Sequence, residues 1–164
     1  MHRSWEKKGY WGAPAMRLPE QRLYDWMQRK IGHCAMLERV ENRVKKDTPD
    51  LYLAARSETG KTLRGWVELK VLDRFPARAS TPVKINHWTT GQRYWALRHS
   101  KHGGQTWVVV AVEDVGKVYV FDAVELAQHE GAWTMADWGS FGQVLDRRDA
   151  KAAEVLAALA EFVV

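Results

Sequence analysis

The chain contains one cysteine among its 164 residues, and it has no long apolar run. The single thiol, Cys34, excludes an internal disulfide and favours a reducing, cytoplasmic compartment. No apolar stretch approaches the roughly 20 residues of a membrane helix, so no membrane partner is expected. The N-terminal charges lack the apolar core of a secretory signal. These absences predict a soluble protein that folds without disulfides.

Positive charge is concentrated in the first two thirds of the sequence. The formal net charge is +5. Residues 71–105 carry 6 Lys and Arg against 1 Asp, whereas residues 106–164 carry 4 against 10 Asp and Glu. A polyanion would therefore meet the first two thirds. On charge alone, a nucleic-acid partner and an ordinary basic surface stay equally open.

The length suits one compact domain. We divide it into a basic irregular arm (1–18), a core (19–130) and a C-terminal extension (131–164) with an amphipathic helix at 149–164. Apolar spacing in the core predicts a helix over 20–44, which Gly32 can divide in two, strands over 50–55 and 63–72, a helix over 89–102, strands over 106–112 and 117–121, and a short helix after Asp122. This order implies an α/β fold with a mixed sheet and helices on its faces.

The strand over 63–72 carries two charges inside an apolar sequence. Residues two apart on a strand point the same way, so Glu68 and Lys70 project together while Leu69 points to the opposite face. Two charges in a core strand are costly unless they pair or bind a metal. Asp50 begins the adjoining strand and can reach the same end of the site. The simpler alternative is a half-exposed strand with one ion pair.

Such a set of groups suits phosphodiester hydrolysis. Carboxylates such as Asp50 and Glu68 supply the hard oxygen ligands that Mg²⁺ prefers, and the carbonyl of Leu69 can add a third. The metal offsets charge on the phosphate and helps to generate hydroxide. A lysine beside it can orient or deprotonate the attacking water.

The sequence Thr48-Pro49-Asp50, followed after a strand-turn-strand by Glu68-Leu69-Lys70, resembles the PD-(D/E)XK nuclease superfamily. Gln92 on the following helix adds to the likeness, which covers roughly residues 35–122. It is most similar to small stand-alone members, the VRR-NUC-like nucleases of phages and the archaeal-type Holliday-junction resolvases. The resemblance implies a restriction-endonuclease-like fold and a Mg²⁺-dependent deoxyribonuclease, with Mn²⁺ as a substitute, acting on branched or flapped DNA.

The resemblance also implies roles for individual residues. Asp50 and Glu68 would be metal ligands, Lys70 the catalytic lysine, and Gln92 a residue that holds the site or touches the phosphate. A glutamate on the preceding helix would complete the acidic set, and Glu41 or Glu38 can serve. Gln92 as a plain exposed helix position is an equally open interpretation.

Basic residues beside this site are the expected DNA contacts. Arg74, Arg78 and Lys84 lie in the irregular loop over 73–88, predicted to be mobile, and Arg93 lies on the next helix. The apolar C-terminal helix and the tryptophans offer a surface for a homodimer, although a monomer is also compatible. The rival functions are a non-catalytic nucleic-acid-binding module and an RNA nuclease, whose metal-free histidine chemistry fits the acidic site poorly.

Overall fold

The computed structural model describes residues 18–40 and 46–164, which form one six-stranded sheet with helices on both faces. The strands lie side by side in chain order: β1 Ala35–Arg39, β2 Leu51–Arg56, β3 Thr62–Leu72, β4 Gln105–Val112, β5 Lys117–Asp122 and β6 Gln143–Asp146. The helices of the described residues are α1 Leu18–Ile31, α2 Thr90–Lys101, α3 Ala123–Gln128, α4 Met135–Phe141 and α5 Ala152–Ala160. The mixed α/β architecture predicted from the sequence is confirmed.

Only β3 and β4 run parallel, and every other neighbouring pair is antiparallel. The reason is the connection between β3 and β4, which contains α2 and carries the chain back to the end at which β3 began. Short turns join β2 to β3 and β4 to β5, so both pairs are antiparallel, and the first is the predicted pairing. The two longest strands, β3 and β4, lie at the centre of the sheet, and helices cover both of its faces.

Each face of the sheet has its own apolar cluster. Helices α1 and α5 pack on one face, where Leu63, Val67 and Leu69 of β3 are fully buried. Helices α2, α3 and α4 cover the other face, together with Phe75, Val83, Ile85 and Trp88 of the connection after β3. That connection was predicted as a mobile loop; four buried side chains fix it to the sheet. The alternation along β3 directs its even-numbered residues toward α2.

The predicted helix over 20–44 is wrong after Ile31. Residues 35–39 form the edge strand β1, in which buried Leu37 lies between exposed Met36 and Glu38. The alternation is that of a strand with one buried face, and β1 pairs with β2 along its whole length. This pairing outweighs the helical spacing that Leu37 shares with earlier apolar residues. The rest of that predicted helix, including Glu41, lies outside the described residues, as does the arm apart from Leu18, the first residue of α1.

The residues after 130 join the same sheet and the same apolar clusters. They contribute β6 at the edge of the sheet, the buried Trp138 of α4, and the predicted amphipathic helix, which is α5. Among the described residues, no helix is long and apolar enough to cross a membrane.

Candidate active site

Strand β3 places Glu68 and Lys70 on the α2 face of the sheet, as predicted. The side chains are almost completely buried, with residue exposures of 3% and 5%. Leu69 between them points into the opposite apolar cluster and is fully buried. Because a buried charge is stable only with partners, the contacts of this pair decide what the site can do.

Lys70 has three acceptors. Its Nζ lies 2.9 Å from Oε1 of Glu68, and it donates to the carbonyl of His87 at 3.0 Å. A third contact, at 3.3 Å, reaches Oε1 of Gln92. His87 has a φ of 63°, a left-handed conformation that is rare outside glycine. This conformation directs a backbone carbonyl of the connection onto the ammonium group.

Gln92 links the first turn of α2 to the strand. Its Nε2 donates to Oε1 of Glu68 at 3.0 Å, and its Oε1 also accepts from the backbone N–H of Thr89 at 3.0 Å. The Thr89 hydroxyl accepts from the N–H of Gln92 in return, which completes a capping box. The helix start therefore fixes the Gln92 side chain, and an idle, solvated Gln92 is excluded.

Asp50 lies immediately before β2 and beside the same stretch of β3. Its Oδ2 accepts a 2.7 Å hydrogen bond from the backbone N–H of Leu69. The last β2–β3 pair is Leu51 with Val67, so the Asp50 side chain continues the hydrogen bonding where strand pairing ends. This register brings the carboxylate of Asp50 to that of Glu68.

Burial changes the protonation of both acids. Burial, and then the nearby charge of Asp50, raises the pKa of Glu68 to about 8, against the lowering effect of Lys70. Burial is also the main reason that the pKa of Asp50 is raised, while its bond from Leu69 opposes the change. Two acids in one dry site compete for a single cation, and the Lys70 ammonium only partly satisfies them.

Sequence reasoning missed a third carboxylate, Glu20, in the first turn of α1. After burial, its charge is among the causes that raise the pKa of Asp50. Its Oε2 atom is buried, and it has no hydrogen-bond partner among the described residues. No local signal in the sequence marked Glu20, because its approach to Asp50 comes from the packing of α1 on the sheet.

The two glutamates expected from the sequence have different outcomes. Glu38 lies on β1 instead of a helix, and it is exposed opposite Tyr52, which corrects its predicted place. Glu41 falls outside the described residues, so its role stays a prediction. Among the described residues, the helix glutamate that acts on Asp50 is Glu20 of α1.

The oxygens of Asp50 and Glu68 fit a divalent cation. They are hard ligands, and the unpartnered Oε2 of Glu20 adds a third candidate. In residues 18–40 and 46–164, no three His, Cys, Asp or Glu side chains are already gathered closely enough to hold a metal. The candidate metal ligands that already lie together are therefore two acids, Asp50 and Glu68. A third protein ligand would have to move toward them to complete a metal site.

The four basic residues that are expected to contact DNA differ in how exposed their side chains are. Arg74, Arg78 and Lys84 are exposed, and two of them, Arg74 and Lys84, line an open cleft of about 490 Å³ in the connection after β3. Arg93 is half buried: its guanidinium donates to the Thr90 hydroxyl at 3.1 Å and lies over the Trp88 ring at 5.9 Å. Arg93 is therefore held within the protein, whereas the loop residues extend into solvent.

The sequence matches no known protein-family model, and no curated protein is significantly similar to it. Arguments about function therefore depend on the geometry of Asp50, Glu68, Lys70 and Gln92.

Proposed function

We propose that this protein is a metal-dependent DNA nuclease of the PD-(D/E)XK type, with its sheet arranged as in restriction endonucleases. One observation carries the proposal: Asp50, Glu68, Lys70 and Gln92, from three separate segments, form one connected cluster in which Glu68 and Lys70 are buried and the other two are half buried. A strand ion pair with no function would have no need of a second carboxylate and a fixed amide. Branched or flapped DNA is the proposed substrate.

Each residue has a physical role in the proposed reaction. Asp50 and Glu68, with the Leu69 carbonyl, would hold Mg²⁺ or Mn²⁺, which when bound offsets phosphate charge and lowers the pKa of water. Lys70 orients the attacking water or stabilises the charge that develops on the phosphate. Gln92 and the His87 carbonyl fix the Lys70 ammonium, so the lysine does not have to be ordered during the reaction.

A non-catalytic nucleic-acid-binding module is the second candidate. The observation that favours it is the set of contacts of Lys70, whose ammonium meets Glu68 at 2.9 Å and two neutral acceptors, as it would in a purely structural pair. The carboxylate of Asp50 argues against it: this charge is, after burial, a cause that raises the pKa of Glu68, and a purely structural pair gains nothing from such a second acid.

Nicking of supercoiled plasmid DNA separates the two candidates. We expect wild-type protein to nick the plasmid in Mg²⁺ and to be inactive in chelator. Asp50→Asn and Glu68→Gln should each remove cleavage and leave a folded protein, whereas Glu38→Gln is the matched control that keeps the activity. Cleavage by Glu68→Gln at the wild-type rate would rule out this site, and DNA binding without cleavage by the wild type would favour the module.

A further inference from the structure

A row of aromatic side chains begins next to the Glu68–Lys70 pair and leads away from it. Trp66 precedes Glu68 by two residues on the same face of β3. The Trp66 ring meets Tyr52 on one side and Trp95 on the other, each with ring centroids 5.7 Å apart in edge contacts. His99 continues the row at 4.8 Å from Trp95. All four side chains are half buried, so part of each ring meets solvent.

Helix α2 and its end hold this row in place. Gln92, Trp95 and His99 lie on one side of the helix, spaced by three and four residues, and they face β3. The imidazole of His99 is hydrogen-bonded through Nδ1 to the Thr106 hydroxyl at 3.0 Å. It packs against Gly104, where a side chain would collide with the ring. Burial lowers the pKa of His99, which favours a neutral ring.

The row opens into a cleft of about 460 Å³ at the start of β3. Tyr52, Trp66 and His99 line it, and exposed Arg64 lies on the same side of the strand two residues before Trp66. Exposed Arg56 ends the neighbouring strand. The exposed acid on this face of β1 is Glu38, at the rim opposite Tyr52. The surface thus combines aromatic rings with arginine.

We infer that this surface, the aromatic row with Arg64, binds a single-stranded stretch of DNA and leads it to the cleavage site. The inference rests on the proposed nuclease function and names the substrate form. Aromatic rings bind unpaired bases by stacking, and arginine binds the phosphates between them. In a duplex each base already stacks on its neighbours, so the rings would gain no base contact. A base on Trp66 would lie two residues along β3 from Glu68, a separation of about 7 Å on the same face.

Binding of fluorescein-labelled oligo(dT) of about 15 nucleotides tests the inference, within the usual site size for single strands. Titrations of the full chain by fluorescence anisotropy are made in Ca²⁺, so that the strand is not cut. A blunt duplex of the same length is titrated in parallel. The variants are Trp66→Leu and Arg64→Ala. Their matched controls are Tyr94→Leu, on the exposed side of α2, and Arg29→Ala, on α1 across the sheet.

We expect Trp66→Leu to weaken oligo(dT) binding about tenfold and to leave duplex binding unchanged. Arg64→Ala should lower the slope of log affinity against log salt by about 0.7 for the single strand. Both controls should bind as the wild type does. Since Arg64 is exposed, its variant keeps the test decisive if Trp66→Leu lowers the melting temperature too far.

Wild-type oligo(dT) affinity in folded Trp66→Leu and Arg64→Ala would overturn the inference, and so would equal weakening on the duplex. Plasmid nicking keeps this outcome separate from the nuclease proposal. If Glu68→Gln abolishes nicking while Trp66→Leu changes neither nicking nor oligo(dT) binding, the single-strand surface is refuted and the nuclease proposal stands. Trp66-dependent oligo(dT) binding without any nicking would support the surface and remove the nuclease.

Discussion

Gln92 donates a hydrogen bond from Nε2 to Oε1 of Glu68 at 3.0 Å, which ties the first turn of α2 to the buried strand β3. The two residues are separated by 24 positions and by the whole connection that carries the basic loop. The same amide accepts from Lys70, so one side chain holds both charged groups of the proposed site. Gln92 is therefore the residue whose loss should most clearly separate catalysis from stability.

We predict that Gln92→Ala lowers the single-turnover cleavage rate at least about tenfold, because Lys70 and Glu68 lose their common anchor. Thr89→Ala is the matched control, since it removes the threonine side of the same capping box but leaves the Gln92 amide. Thr89→Ala should lose roughly 1 kcal/mol of unfolding free energy from the cap, and Gln92→Ala should lose more, because it also removes bonds to buried Glu68 and Lys70. Equal cleavage rates in the two variants would show that Gln92 only caps the helix.

Stability without divalent metal should fall as pH rises. The pKa of Glu68 is about 8 in the folded protein against an ordinary 4.5, so between these values the folded state holds a proton that the unfolded state has released. The stabilisation is complete below about pH 4.5 and is lost as pH rises through about 8. The raised pKa of Asp50 acts in the same direction.

Denaturation curves in chelator across this range measure the effect. We expect Glu68→Gln to flatten the pH dependence and to be more stable than the wild type at pH 8, and we expect Mg²⁺ to restabilise the wild type there. Glu38→Gln, at an exposed position, should follow the wild-type curve. A wild-type stability that rises from pH 5 to pH 8 in chelator would contradict the buried acid pair.

Glu20→Gln should raise the Mg²⁺ concentration needed for half-maximal cleavage, because a buried carboxylate oxygen near Asp50 would no longer attract the cation. Glu38→Gln provides the comparison and should need the wild-type concentration. Because Glu41 lies nearer than Glu38 to Asp50 in the sequence, we also expect Glu41→Gln to lose more activity than Glu38→Gln. A Mg²⁺ titration in which Glu20→Gln and wild type coincide would remove Glu20 from the site.

Replacing Arg74, Arg78 and Lys84 together by alanine should weaken duplex binding and flatten its salt dependence by about 0.9 for each phosphate that the variant no longer neutralises. The reason is that these exposed side chains extend from the connection directly after β3, which carries Glu68 and Lys70. The control is the triple variant of Arg22, Arg29 and Arg148, which are exposed elsewhere on the surface. Salt titrations in Ca²⁺ measure the binding of both variants. An unchanged slope in the loop variant would exclude the loop as a DNA contact and leave the basic arm, with Lys7, Lys8 and Arg17, as the next candidate.

Local patterns in the sequence determined the centre of the fold and most of the site. The two-residue period of β3 was enough to place Glu68 and Lys70 on one face and Leu69 on the other. Capping residues, Thr89 or Thr90 in one case and Asp122 in the other, marked the starts of α2 and α3 in the sequence. In the structure Thr89 and Asp122 each accept from a backbone N–H three residues ahead. Signals of this kind depend only on neighbours in the chain.

Contacts between distant segments were decided by the tertiary structure alone. Residues 35–39 form β1 because β2 supplies the pairing edge, and a five-residue segment has too few apolar positions to show its period. Glu20 nears Asp50 because α1 packs across the sheet, and the His87 carbonyl reaches Lys70 because the connection after β3 is buried at four points. Packing fixes such positions, and no local period encodes them.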